Sequence, residues 1–249
     1  MPNRNNFDET LSGMLLLDKP AGITSFKAIA KIRRTLNVKK TGHCGTLDPL
    51  ATGLLLALVG KATKLQDRFM KKDKVYRCSF LLGTTTDSGD MEGNVIEKKD
   101  CTGITAADTE KAMNNFVGEI EQVPPMYSAL KYGGKKLYEL ARKGITVDRQ
   151  PRKVTIKSIK ILSFKDYVVE AVVECSSGTY IRTLAEDFGR VLGCGATVCA
   201  LRREKIGRFG VENALRAADF ENAEKIKSSL ISLEELNADA EMQGRGDAE

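Results

Sequence analysis

Between Gly42 and Gly53 the chain reads Gly-His-Cys-Gly-Thr-Leu-Asp-Pro-Leu-Ala-Thr-Gly, which places the carboxylate of Asp48 five residues after the chain's one histidine, His43. Gly42, Gly45 and Gly53 permit tight backbone paths, while Pro49 fixes its own φ and pushes Asp48 out of the helical region. A carboxylate on a stiffened loop beside an apolar run (Leu54 to Val59) is equipped to act as a nucleophile or as an acid or base. An Asp-Pro pair by itself is commonly an ordinary turn. The full twelve-residue string is far more specific than that pair.

Elements on both sides must hold this loop. Met14 to Leu17 reads as a short apolar strand ended by Asp18-Lys19-Pro20. Thr24 or Ser25 can cap a helix with apolar positions at Phe26, Ile29, Ala30, Ile32 and Leu36. Leu54 to Val59 is a buried strand or helix segment, which periodicity does not separate. From Lys74 to Gly83 the chain alternates, with Tyr76, Cys78, Phe80 and Leu82 on one face. Thr105 caps a helix to about Val117, and Lys153–Phe164 pairs with Tyr167–Cys175 across Lys165-Asp166. Tyr180 to Leu192 is an amphipathic helix carrying Ile181, Leu184, Ala185, Phe188, Val191 and Leu192, stopped by Gly193. Thr197 to Leu201 follows as a strand. After Gly210 one helix-like piece, Ala223 to Leu236, precedes a small polar tail, Asn237 to Glu249, expected to be disordered. Strands joined now by turns and now by helices imply a mixed α/β (α+β) domain with a mainly antiparallel sheet.

The bulk properties narrow the function. The chain has 249 residues, 42% hydrophobic and 29% charged, enough for a sizeable core. No apolar run approaches the roughly 20 residues of a membrane span. Met1 to Ser12 is polar and lacks the order of a secretory signal, so a cytoplasmic protein is expected. The six cysteines form no Cys-x-x-Cys pair, and with one histidine a zinc site would need thiolates from distant positions. Reduced, largely buried cysteines and no metal or cofactor are expected. The net charge of +6 hides a split: residues 211–249 hold 10 acidic and 4 basic residues, and residues 1–210 hold 23 acidic and 35 basic. A body this basic suits a polyanion such as RNA. Lys131 to Lys153 concentrates the charge, with eight basic residues against Glu139 and Asp148 and with Tyr132 and Tyr138 interleaved. It reads either as a solvated loop and helix face or as a mobile flap over an RNA backbone.

The Gly42–Gly53 string resembles motif II of the TruB family of tRNA pseudouridine synthases. The resemblance continues in Leu16-Leu17-Asp18-Lys19-Pro20 with Gly22-Ile23-Thr24-Ser25, in Lys74-Val75-Tyr76-Arg77, and in Gln122 to Lys131. It recurs in Gly178-Thr179-Tyr180-Ile181-Arg182, in Leu192 to Ala196 and in Leu201-Arg202-Arg203, in family order over roughly residues 14 to 210. It implies the pseudouridine synthase fold and isomerisation of uridine 55 in the T-loop of tRNA, without a cofactor. It assigns the chemistry to Asp48, with Arg182 keeping that carboxylate ionised and directed and Tyr76 against the flipped uracil. Tyr180 and Leu201 then wall the base, Lys19 belongs to the substrate site, and His43 wedges into the T-loop to offset the cost of flipping. Whether Asp48 attacks C1′, adds to the uracil ring or takes a sugar proton stays open.

The organisation expected is a flexible segment 1–12, a catalytic domain 13–210 with a thumb-like basic insertion at about 124–153, and a short acidic extension 211–249 in place of a full C-terminal PUA domain. The protein is expected to act alone, as a monomer on tRNA and away from membranes. Two alternatives stand beside this reading: the catalytic subunit of a guide-RNA pseudouridylation particle, and an RNA-binding chaperone that folds tRNA.

Overall fold

The computed structural model describes residues 7–238; part of the expected N-terminal segment and most of the expected polar tail lie outside this range. The chain divides into two compact units, one formed by residues 1–72 with 204–249 and the other by residues 73–203.

The first unit opens with strand β1 (Gly13–Lys19) and helix α1 (Ser25–Thr35), followed by β2 (Thr41–His43), β3 (Thr52–Val59) and the short helix α2 (Gln66–Met70). β1 pairs antiparallel with β3 over all of its own length, from Gly13 opposite Val59 to Lys19 opposite Gly53. The ambiguous run Leu54–Val59 is therefore a strand, and every residue in it is buried, as expected of a strand covered on both faces. Thr24 caps α1, its hydroxyl accepting from the Lys27 amide at 3.1 Å, which leaves Ser25 free for another task. The helix buries Ser25, Ala28, Ile29 and Ile32. Phe26, expected among the core positions, is 76% exposed. It lies roughly 100° around the helix from Ser25 and turns away from the packed stripe.

The second unit begins with β4 (Lys74–Leu82), whose burial alternates so that Tyr76, Cys78, Phe80 and Leu82 face inward as the period-two pattern predicts. A small hairpin, β5 (Thr84–Thr86) with β6 (Val95–Lys98), precedes α3 (Ala106–Asn114) and β7 (Gly118–Gln122). Thr105 and Asp108 close a capping box at the start of α3, and the helix ends at Asn114, three residues before the expected limit. The basic insertion forms a hairpin, β8 (Lys131–Tyr132) and β9 (Lys135–Lys136), turning through Gly133 and Gly134 at φ 54° and 82°, and then the short helix α4 (Leu137–Ala141). Two-residue turns with both centres at positive φ match the twist of the strands they join. The long pair β10 (Arg152–Lys165) and β11 (Val168–Cys175) follows, with β11 antiparallel to β4 and β10 antiparallel to β7.

Helix α5 (Ile181–Val191) buries Ile181, Leu184, Ala185 and Phe188, and Phe188 meets Phe80 with ring centroids 5.9 Å apart. Each such buried ring contributes about 1.5–3 kcal/mol. Gly189 lets the helix lie directly on the backbone at Gly195 and Ala196, where a Cβ would overlap main-chain atoms. The strand β12 (Ala196–Ile206) lies beside β4 in an order β12-β4-β11-β10-β7.

The chain then returns to the first unit. The end of β12 turns back through β13 (Phe209–Gly210), with α6 (Ala223–Ser228) and β14 (Ile231–Ser232) beyond. The helix-like stretch expected over 223–236 is thus broken. Ser228 and Ser229 both donate to the Lys225 carbonyl, and Ile231 and Ser232 pair with Met14 and Gly13 at the edge of β1. Of the expected acidic extension, Phe220, Ile226 and Leu236 are fully buried. Leu236 joins a core of Met14, Leu16, Cys44, Leu54, Leu56, Leu58, Phe69, Ile206 and Phe209. A mixed α/β fold with mainly antiparallel strands was expected and is observed. No helix among the described residues is long and apolar enough to cross a membrane.

Candidate active site

In the first unit, the loop carrying Asp48 is fixed from both sides. β2 feeds into it along β3, with His43 opposite Ala57 and the Cys44 amide donating to the Leu56 carbonyl at 3.0 Å. Leu47, next to Asp48, is buried, and its amide donates to Ser25 Oγ at 2.8 Å while its carbonyl accepts from the same hydroxyl at 3.0 Å. On the other side of Asp48, the Pro49 carbonyl accepts from the Gly22 amide at 2.9 Å and from Lys19 Nζ at 3.3 Å. The Ala51 amide closes a turn onto the Asp48 carbonyl at 3.1 Å. Asp48 itself is half-buried, so a rigid frame presents a carboxylate that keeps access to its surroundings.

Lys19 is fully buried, and its ammonium also donates to the carbonyls of Pro20 at 2.9 Å and Ile23 at 2.8 Å. An ammonium bound by three main-chain acceptors ties strand end to loop. Lys19 and Ser25 therefore both hold main-chain groups of the Asp48 loop. His43 ends β2, half-buried, with its carbonyl accepting from Gln66 Nε2 at 3.2 Å.

The other four expected residues belong to the second unit. Tyr76 stands on the inward face of β4, 8% exposed and opposite Val173 of β11. Leu201 is half-buried on β12. Tyr180 precedes α5, where its amide donates to Gln122 Oε1 at 3.0 Å and its carbonyl accepts from Gln122 Nε2 at 3.3 Å. One buried amide side chain thus bonds both main-chain groups of Tyr180, the residue that precedes α5 and whose carbonyl also accepts from the Leu184 amide at 3.1 Å.

Arg182, in the first turn of α5, is 5% exposed. Its Nη1 donates to the Ser88 carbonyl at 2.8 Å, its Nη2 to the Tyr127 carbonyl at 2.6 Å, and its Nε lies 3.9 Å from Asp90 Oδ2. Asp90 is buried as well, and its Oδ1 accepts from Ser88 Oγ at 2.6 Å and from the Glu92 amide at 3.1 Å. The loop carrying Ser88 and Asp90 is stitched to β12, since Val198 donates to Gly89 at 3.0 Å and Met91 to Val198 at 3.1 Å. A guanidinium held at all three nitrogens has one orientation, which an ammonium could not match. Ser88, Asp90, Gln122 and the Tyr127 carbonyl were not anticipated, because each acts through a contact 55 or more residues away in sequence. The nearest available signal was Gln122 at the head of a family-like string.

One turn along α5, the Glu186 carboxyl is pushed above its ordinary value by burial and by Asp187, against the opposing pull of Arg182, Arg190 and Arg149. Among the described residues no cluster of His, Cys, Asp or Glu is arranged to hold a metal ion. All six cysteines are free thiols.

The family model described as TruB family pseudouridylate synthase (N terminal domain) matches residues 33–181. The model described as tRNA pseudouridylate synthase B C-terminal domain matches residues 182–240. A protein of Endomicrobium trichonymphae named tRNA pseudouridine synthase B is 62% identical over 229 residues, covering 92% of this chain and 98% of that protein. One of the same name from Bordetella avium is 47% identical, covering 92% of this chain and 95% of that protein. Among solved structures, the chain is similar to one in a crystal structure of a Cbf5-Nop10-Gar1 complex, at 31% identity and a TM-score of 0.66 over 83% of this chain. The chain spans 53% of that longer relative.

Proposed function

The chain belongs to the TruB family of pseudouridylate synthases, and from that premise we propose that it isomerises uridine 55 in the T-loop of tRNA. The reaction breaks the C1′–N1 bond, turns the detached uracil and forms a C1′–C5 bond. The proton leaving C5 is balanced by one gained at N1, so no cofactor or net redox step is needed. Asp48 is the group that meets the flipped nucleotide. The observation that supports this role is the double clamp on its neighbours, Leu47 by Ser25 and Pro49 by Gly22 and Lys19. Such a clamp preserves the direction of a carboxylate without reorganisation during the reaction.

In this reading Arg182 supplies the positive charge that keeps Asp48 ionised once RNA has excluded water. Tyr76 lies against the uracil and offers its hydroxyl for proton transfer, and Tyr180 and Leu201 line the base. His43 fills the vacancy left by the extruded nucleotide. Lys19 contributes through the loop, and the insertion at about 124–153 covers the RNA backbone. The protein acts as a monomer in the cytoplasm, and the identity to proteins named tRNA pseudouridine synthase B favours free tRNA over a guide-RNA particle as the substrate.

The test is Asp48→Asn against an unmodified tRNA transcript, with no cofactor added. The variant is expected to bind tRNA nearly as well as the parent and to release no tritium from C5-labelled uridine. Turnover retained by the variant would remove Asp48 from the chemistry, and product mapped outside the T-loop would remove the substrate assignment.

A further inference from the structure

Helix α1 presents two opposed faces. The inner one buries Ser25, Ala28, Ile29 and Ile32. The outer one exposes Phe26, Lys27, Arg33 and Arg34, and the chain continues past its end to exposed Lys39 and Lys40. At 100° per residue Phe26, Ala30 and Arg33 fall in one row, with Lys27 and Arg34 in the row beside it. The face is therefore a continuous strip rather than scattered charge. No acidic residue occurs in Ser25–Thr35.

Lys31 is already matched, by Glu221 at 3.0 Å, and the Glu221 carboxyl is held below its ordinary value by Lys31 first and by Arg34 as well. Among the described residues no ion pair holds Lys27, Arg33, Lys39 or Lys40. Phe26 is the most exposed large hydrophobic residue among those described, at 76%. A bare aromatic ring set in a strip of unmatched cations is the composition of a surface that follows a nucleic-acid backbone and stacks on a base.

We propose that the outer face of α1 is a second RNA-binding surface, with Lys27, Arg33 and Arg34 on phosphates and Phe26 stacked on an exposed base of the tRNA. The proposal rests on the reading above that tRNA is the substrate. This surface shares no side chain with the proposed catalytic set. Ser25 on the inner face of the same helix bonds Leu47, so one short element serves the Asp48 loop on one side and holds RNA on the other.

The experiment measures tRNA binding by the full-length protein over a range of salt, for the parent, R33Q/R34Q, F26S and F26Y, together with kcat at saturating tRNA. Glutamine keeps the helix and removes the charge. R33Q/R34Q is expected to weaken binding about tenfold at moderate salt and to lower the slope of log affinity against log salt by up to about two, because two phosphate contacts are lost. F26S is expected to weaken binding about tenfold, and F26Y to restore it. All variants are expected to keep the parental kcat. Unchanged affinity and salt slope in R33Q/R34Q would overturn the proposal and leave the strip to an acidic protein partner. A fall in kcat with affinity unchanged would overturn it too, by showing a purely structural role. Failure of the function reading is distinguishable, because it shows as absence of product from the parent protein itself.

Discussion

Ser25 and Leu47 are bonded to each other twice, the Ser25 hydroxyl accepting from the Leu47 amide at 2.8 Å and donating to the Leu47 carbonyl at 3.0 Å. Both residues are buried, so one hydroxyl satisfies two main-chain groups that water does not reach. Ser25→Ala leaves both groups without this partner, at a cost of about 1–3 kcal/mol each at most. The variant is expected to unfold at lower urea and to lose kcat more than tRNA affinity. Parental kcat in Ser25→Ala would show that Asp48 does not depend on this anchor.

Lys19 fixes the other flank of the same loop through carbonyls of Pro20, Ile23 and Pro49. Hydrogen bonds from a charged donor contribute about 1.5–3 kcal/mol each, less than additively when they share one donor. Lys19→Met preserves length and removes the donor, and is expected to lower stability by about 2–4 kcal/mol. Equilibrium urea unfolding measures this directly. A midpoint equal to the parent's would mean that Lys19 is not a structural tie.

Burial pushes the Cys101 and Cys175 thiols up to about 11 and Cys78 higher still. Thiolate is the reactive form, so these three are expected to resist iodoacetamide in the folded protein near pH ~8. Cys199 is half-buried, and its thiol is also raised. It is expected to react ahead of the other three, while all react once the chain is unfolded. Mass-spectrometric mapping of the labelled sites checks the order.

Glu186 has a folded-state value above its ordinary one, chiefly through desolvation. For a carboxyl shifted upward, the favourable contribution is complete below the unfolded-state value and is lost as pH rises through the folded-state value. Glu186→Gln removes the ionisation, so it is expected to melt higher than the parent at neutral pH. The gap should close in acid below the ordinary carboxylate range. Equal melting temperatures at all pH would mean that the neighbouring arginines fully compensate the buried charge.

How much of this was legible beforehand depended on the range of each interaction. The alternation through Tyr76, Cys78, Phe80 and Leu82 and the amphipathic stripe of α5 were readable because a strand or helix repeats its burial locally. The Asp48 loop was readable because glycine permits tight turns and proline fixes φ wherever they occur. Phe26 misled because an aromatic residue one step off the true stripe still matches a helical template of five positions. Asp90 and Ser88 gave no local sign, since their partner Arg182 lies more than 90 residues further on. The roles of Thr24 and Ser25 could not be divided by sequence either: both residue types cap helices, and only the position of Leu47 decides which one is engaged elsewhere.

The strand β14, contributed from near the end of the described chain, covers Gly13 and Met14 at the edge of β1. During synthesis the first 72 residues therefore emerge long before the piece that completes their unit, whereas residues 73–203 arrive as one uninterrupted stretch. The later-encoded unit is thus the one free to mature on the ribosome, and the segment bearing Asp48 must wait, with a β edge uncovered, until Ile231 and Ser232 have emerged.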